Sequence, residues 1–182
     1  QNLDHSLPAA KKVDGITISH EPLLLDREMD RLKKRIEANP RAIRLVFEQA
    51  QLFQEMREFD EAISSYKDRI EKGGDSEEVW FSKYMIGACF EEKDQWESAL
   101  FWYLEAYQCA PDRPESIQKI SNHYCYIGQN DLAHIFAKYG SLLSAHSDPK
   151  LIDPSYADYK FNEHLSIVSF YTRFKKDGFI AS

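Results

Sequence analysis

Three stretches of this chain, "EFDEAISSYKDRI", "QWESALFWYLEAYQCAP" and "QNDLAHIFAKYG", are versions of one helix. Each carries an alanine at the same place, Ala62, Ala99 and Ala133, spaced 37 and 34 residues apart. Twelve residues before each alanine stands a small residue (Ala50, Gly87, Ser121), and three beyond that an aromatic (Phe53, Phe90, Tyr124). Phe59 and Trp96 precede the first two alanines by three, and Tyr66, Tyr103 and Ala137 follow by four. Small residues are required where the two helices of a hairpin cross, because only a short side chain lets the backbones approach. Large residues at spacings of three and four then fill the holes around that contact. One such hairpin leaves an apolar face open, so the hairpins must stack on one another.

Helical patterning runs almost unbroken from Asp26 to Pro149, with helices predicted near 26–38, 41–56, 59–72, 76–93, 95–109, 113–127 and 130–145. Their short polar connections suit antiparallel neighbours. Gly73 and Gly74 read as the turn between two hairpins. A phosphate loop would need a preceding strand and a following Gly-Lys-Ser/Thr, and both are missing. Glu77 and Glu78 read as solvated acids at a helix start, where the dipole favours them. Residues 1–25 differ: "ITISHEPLLL" alternates, and Pro8 and Pro22 break any helix, which predicts a strand or extended arm, or the end of a preceding domain. Residues 26–147 form the repeats. Residues 148–182 read as a connecting loop and the start of a further, truncated unit, with Leu165 to Tyr171 as its first helix and Phe179 to Ser182 opening its partner.

The order of these features resembles the tetratricopeptide repeat, whose period is about 34 residues. The resemblance implies an all-α solenoid of stacked hairpins, three clear repeats flanked by partial ones, acting as a non-catalytic protein-interaction or packing module. A narrower resemblance covers residues 26–171. Tyr66, Arg69, Gly73, Gly74, Glu77, Glu78 and Trp80, then Ala106, Tyr107, Pro111, Arg113 and Glu115, then "LAHIFAKYG" and "YADYKFNEHLSI", are similar to the helical region following the catalytic domain in some family-2-type glycosyltransferases. "ITISHEPLLLDREMDRLKKRIEANP" looks like the join between the two, with His20 on a final strand. Asp75 and Ser116 depart from that pattern, which has Trp and Pro there. This resemblance implies an accessory C-terminal part of a larger enzyme, supporting acceptor binding or oligomerisation.

No chemistry of such an enzyme lies in the chain itself. There is no Asp-x-Asp to hold a metal–diphosphate, no Gly-rich nucleotide loop and no Gly-x-Ser-x-Gly elbow, so no catalytic residue and no cofactor is expected. The six histidines are scattered; His123 and His134, on consecutive helices, lack a third ligand, so no metal site is expected either. With 23 basic against 30 acidic residues the net charge is −7, which argues against a nucleic-acid surface. No apolar run reaches the length of a membrane span. The three cysteines, Cys89, Cys109 and Cys125, read as reduced thiols, which points to the cytoplasm.

In a stack of this kind the first helices line the concave side. Their residues outside the packing set form a candidate groove: Arg44, Phe47, Gln51 and Glu55 in the first unit, Phe81, Tyr84, Ala88 and Glu91 in the second, Gln118, Asn122 and Tyr126 in the third. Mixed aromatic and polar side chains suit a protein or peptide partner, or a glycan acceptor. The alternative is a groove filled by the chain's own arm, Ile16 to Leu25, or by the loop around Tyr156 and Tyr159. The terminal helical face, Leu165 to Tyr171, is a candidate surface for homo-oligomerisation.

Overall fold

The computed structural model describes residues 22–143 and 158–172, with side chains from Leu24 in the first segment and from His164 in the second. The helices in chain order are α1 (Pro22–Ala38), α2 (Ile43–Glu55), α3 (Phe59–Lys72), α4 (Ser76–Glu92), α5 (Trp96–Cys109), α6 (Glu115–Tyr126), α7 (Asn130–Leu143) and α8 (Asp158–Phe170). Among the described residues there is no strand. Helices α2/α3, α4/α5 and α6/α7 form three antiparallel hairpins, with α1 packed before them and α8 after. His20, the arm before Pro22, the loop around Tyr156 and the segment Phe179 to Ser182 lie outside the described residues.

Pro22 does not break a helix but starts one. At the first helical position its missing N–H would have had no partner in any case, and its fixed φ suits the turn. Leu25 therefore belongs to α1, where Met29 and Leu32 meet Leu45 and Leu52 of α2.

The repeat register reappears as packing. Ala50, Ala62, Ala99, Ser121, Ala133 and Ala137 are fully buried, as are Tyr66 and Tyr103. In the second hairpin a Cβ on Gly87 would stand 2.8 Å from the Tyr103 ring, so the helices meet at the limit of approach. The tyrosine hydroxyls are tied back to the first helix of their own hairpin: Tyr66 donates to Gln54 at 2.9 Å, and Tyr103 to Glu91 at 2.5 Å. Those two acceptors are equivalent positions, four residues after Ala50 and Gly87.

The three hairpin turns are copies too. Arg57, Asp94 and Gly128 all have positive φ (60, 55 and 76°). The N–H after each bonds back five residues, Glu58 to Phe53, Gln95 to Phe90 and Gln129 to Tyr124, at 2.8–2.9 Å. This double closure of a helix end needs one left-handed residue, which glycine supplies without strain and Arg57 and Asp94 do not.

Candidate interaction face

Between hairpins the joints are built from charge. Arg69, wholly buried on α3, donates to Glu78 on α4 at 2.9 Å and to the Gly73 carbonyl at 2.6 Å. Gly73 and Gly74, at φ 62 and 94°, bend the chain beneath that guanidinium. Asp75 then caps α4, accepting from the N–H groups of Glu77 and Glu78 at 2.9 and 3.2 Å. Arg44 on α2 also pairs with Glu78, so one carboxylate joins α2, α3 and α4. The next joint repeats the device: Arg113 pairs with Glu77 and lies 4.1 Å from the Trp80 ring centre. Glu115 is 3.6 Å from Arg113; burial raises its carboxyl, its backbone hydrogen bond and Arg113 pull it back down, and Asp112 and Glu77 add to the rise. Farther along, Glu91 on α4 takes Lys119 of α6 at 3.1 Å.

Glu77 and Glu78 are thus not the solvated acids expected. Glu78 is 7 % exposed. Sequence reasoning missed this set because a paired acid after a turn looks the same whether it faces water or a buried arginine. The usable signal was Arg69, a charged residue at a core position of the α3 pattern, three beyond Tyr66.

The predicted groove residues fall into distinct places. Phe47 is 1 % exposed and packs against Tyr66 and Phe81 rather than lining a surface. Gln118 is buried at 4 %. Phe81 and Tyr84 are half-buried, Phe81 with its ring 5.6 Å from Phe47 and Tyr84 between Trp80 (5.7 Å) and Tyr103 (5.6 Å). Arg44 and Asn122 are exposed; Gln51 and Glu91 are half-buried. Gln51 and Glu55 also line a cleft of about 380 Å³ against α1, opposite Glu28, Arg31 and Arg35. Tyr126 and Glu55 are one residue out of step: the positions equivalent to Glu91 are Gln54 and Cys125. Tyr126 therefore stands past the stripe, at the end of α6.

Four buried polar atoms along the α4–α6 seam make no hydrogen bond: Trp80 Nε1, Glu115 Oε2, Ser116 Oγ and Gln118 Oε1. The two histidines do not pair with each other. His123 stacks on Trp96 with ring centres 3.4 Å apart, and His134 Nδ1 lies 3.1 Å from Ser169 Oγ on α8. Among the described residues no group of three metal-ligating side chains occurs, and no helix is long and apolar enough to cross a membrane. Cys89 is buried, and burial with nearby Glu92 pushes its thiol up to about 12.

No protein-family model and no curated protein sequence matches this chain. Solved structures do match. A crystal structure of MamA is 14% identical over 86% of this chain and 84% of its own, with a TM-score of 0.62. MamA from Desulfovibrio magneticus RS-1, residues 41 to the end, is 13% identical over 86% and 81%, with a TM-score of 0.61. YrrB, described as "a TPR protein with an unusual peptide-binding site", is 14% identical over 88% and 75%, with a TM-score of 0.56. The fold is a tetratricopeptide-type solenoid. At these identities the likeness concerns the path of the chain alone. In this TPR-type stack α2, α4 and α6 are the first helices; the Arg44–Glu78 and Glu91–Lys119 pairs run from each to the next, and Glu77 on α4 pairs with Arg113 in the connection just before α6.

Proposed function

We propose that this TPR-type chain is a non-catalytic interaction module whose first-helix face receives an extended peptide segment of a partner protein. The observation that carries the reading is the run of ion pairs along α2, α4 and α6. Neighbouring first helices are held in register by charged groups at their edges, leaving one surface of donors, acceptors and half-buried rings across three hairpins. An extended peptide presents carbonyls and N–H groups in alternation and needs such a mixed surface. Arg44, Gln51, Phe81, Tyr84, Glu91 and Asn122 are the groups offered, with Lys119 beside Glu91. YrrB, of the same fold, is described as having a peptide-binding site. The three thiols, none in a disulfide, support a cytoplasmic setting.

The test is selection from a displayed library of random peptides, followed by titration into isotopically labelled protein. Shifts should map to α2, α4 and α6. Arg44→Ala and Asn122→Ala should both weaken binding severalfold; Asn122→Ala, at an exposed position outside the ion pairs, should do so at unchanged melting temperature, whereas Arg44→Ala also removes a partner of Glu78 and should lower it slightly. Selected peptides that ignore both substitutions and map elsewhere would overturn the reading. A second reading, an accessory region of a family-2-type glycosyltransferase holding a glycan acceptor on the same face, rests on the sequence resemblance. It predicts that oligosaccharides, not peptides, give those shifts.

A further inference from the structure

The exposed large apolar residues are unevenly placed. Among the described residues, all but Leu24 lie between Phe101 and Tyr171. The densest group is at one end of the last hairpin. Helices α6 and α7 are antiparallel and joined through Ile127, Gly128 and Gln129, so the end of α6 and the start of α7 lie together. Helix α8 runs parallel to α6: His164 meets Ser121 of α6 at 2.9 Å, and five residues on Ser169 meets His134, in the second turn of α7. Phe170 and Tyr171 follow directly, so they stand at the same end as Tyr126, Ile127 and Leu132.

The internal repeats show that this end is unlike its counterparts. The position of Tyr126 is held by Glu55 and Glu92 in the other two hairpins, that of Ile127 by Met56 and Lys93, and that of Leu132 by Glu61 and Ser98. In those hairpins the turn edge is closed by charge: Arg57 pairs with Glu92 at 3.0 Å, and Lys93 with Asp60. In the last hairpin the edge keeps the acid, Asp131 at the place of Asp60, but the positions beside it are apolar and exposed. Tyr126 is 90% exposed, Tyr171 68%, Phe170 66%, Ile127 46% and Leu132 39%. Taking ~150–250 Å² for an aromatic side chain, and somewhat less for Ile and Leu, these five expose on the order of 500–600 Å². That is at the upper end of the ~300–600 Å² of the largest apolar patch on a typical monomer, and about two thirds of the ~800 Å² each partner buries in a standard interface, leaving the remainder to a polar rim.

We propose that this end, Tyr126, Ile127, Leu132, Phe170 and Tyr171, is a self-association site at which two copies of the chain pair about a two-fold axis. Charge selects the occupant. Copies of a chain carrying a net −7 repel at most surfaces; the five side chains of this patch are uncharged and the exposed Asp131 stands at its rim, so two copies can meet through the apolar centre with the acids left at the solvated edge. An isologous contact sets the same rings against each other edge to face, so no second surface is required. It also closes, covering both patches at once.

Sedimentation velocity and light scattering of the whole chain, from micromolar towards millimolar concentration, test this. The expected result is a monomer–dimer equilibrium. Tyr126→Glu should raise its dissociation constant about tenfold or more, and Leu132→Ser should raise it less. Glu92→Ala, at the equivalent position of the second hairpin, should leave it unchanged. With Tyr126 almost wholly exposed, the melting temperature of a dilute sample should not move. A monomer throughout the range overturns the proposal, as does a dimer indifferent to both substitutions. A monomer that co-sediments with phosphatidylcholine vesicles through Tyr126 would assign the patch to lipid instead. Peptide binding on the first-helix face should survive Tyr126→Glu, so failure here is separable from failure of the peptide reading.

Discussion

Gly87→Ala should destabilise the protein although the neighbouring repeat carries alanine at that position. A Cβ on Gly87 would lie 2.8 Å from both Cδ1 and Cε1 of Tyr103 and 3.2 Å from Cγ. Carbon atoms sit best at about 3.5–4.0 Å, so ring and helix must separate by roughly 0.7 Å or more. The ring cannot swing aside cheaply, since Tyr103 is fully buried and its hydroxyl is held by Glu91 at 2.5 Å. With the ring pinned, the upper part of the range for overpacking applies, about 2–3 kcal/mol. The gain of about 1 kcal/mol from replacing a helical glycine offsets part of it. The net is about 1–2 kcal/mol of lost stability, or a fall of roughly 2–8 °C in melting temperature for a chain of this size. Urea and thermal unfolding followed by far-ultraviolet circular dichroism measure it. Gly87→Leu should cost more, and Ala99→Leu, at another fully buried crossing residue, should also destabilise. In a Tyr103→Leu background, Gly87→Ala should become neutral or stabilising. A melting temperature unchanged or raised by Gly87→Ala in the native background would refute the tight crossing, and the hairpin geometry with it.

The turn between α4 and α5 offers the opposite sign. Asp94 sits at φ 55° where the third hairpin has Gly128, so Asp94→Gly should relieve strain and raise stability by about 0.5–1 kcal/mol; an unchanged or lowered urea midpoint counts against it. Stability should also fall on mild acidification. His164 lies below its ordinary pKa because burial outweighs its bond to Ser121, and His123 likewise because burial outweighs the pull of Glu91. The unfolded chain then takes up protons first, so this contribution is complete above the ordinary histidine pKa of about 6.5 and is lost progressively as pH falls from there through the lower folded-state values. Urea midpoints between pH 7.5 and 5.5 should decline, and His164→Gln should flatten the slope; a midpoint that rises on acidification contradicts the buried neutral imidazoles.

The stacked-hairpin architecture was legible in the sequence because a repeat prints its packing rule three times. Alanine at 62, 99 and 133, with a small residue twelve before, is what close helix crossing demands, and any one copy could have been chance. Helix ends were legible to within a few residues, since turns and caps are local. Pro22 was misjudged because the same ring that ends a helix from inside begins one from its first position, and only the path of the chain distinguishes the two. The stripe facing the groove was read one residue out of step at Glu55 and Tyr126, and Phe47 and Gln118 were placed on a surface when they lie inside. Periodicity tells which residues share a face, but not how far a neighbouring hairpin covers it. The charged joints were invisible for a related reason. Arg69 and Glu78 are separated by a Gly-Gly turn, and Arg113 lies more than thirty residues from Glu77. A side chain's partner across such a gap depends on the angle at which one hairpin lands on the next, which is set only when the whole stack closes.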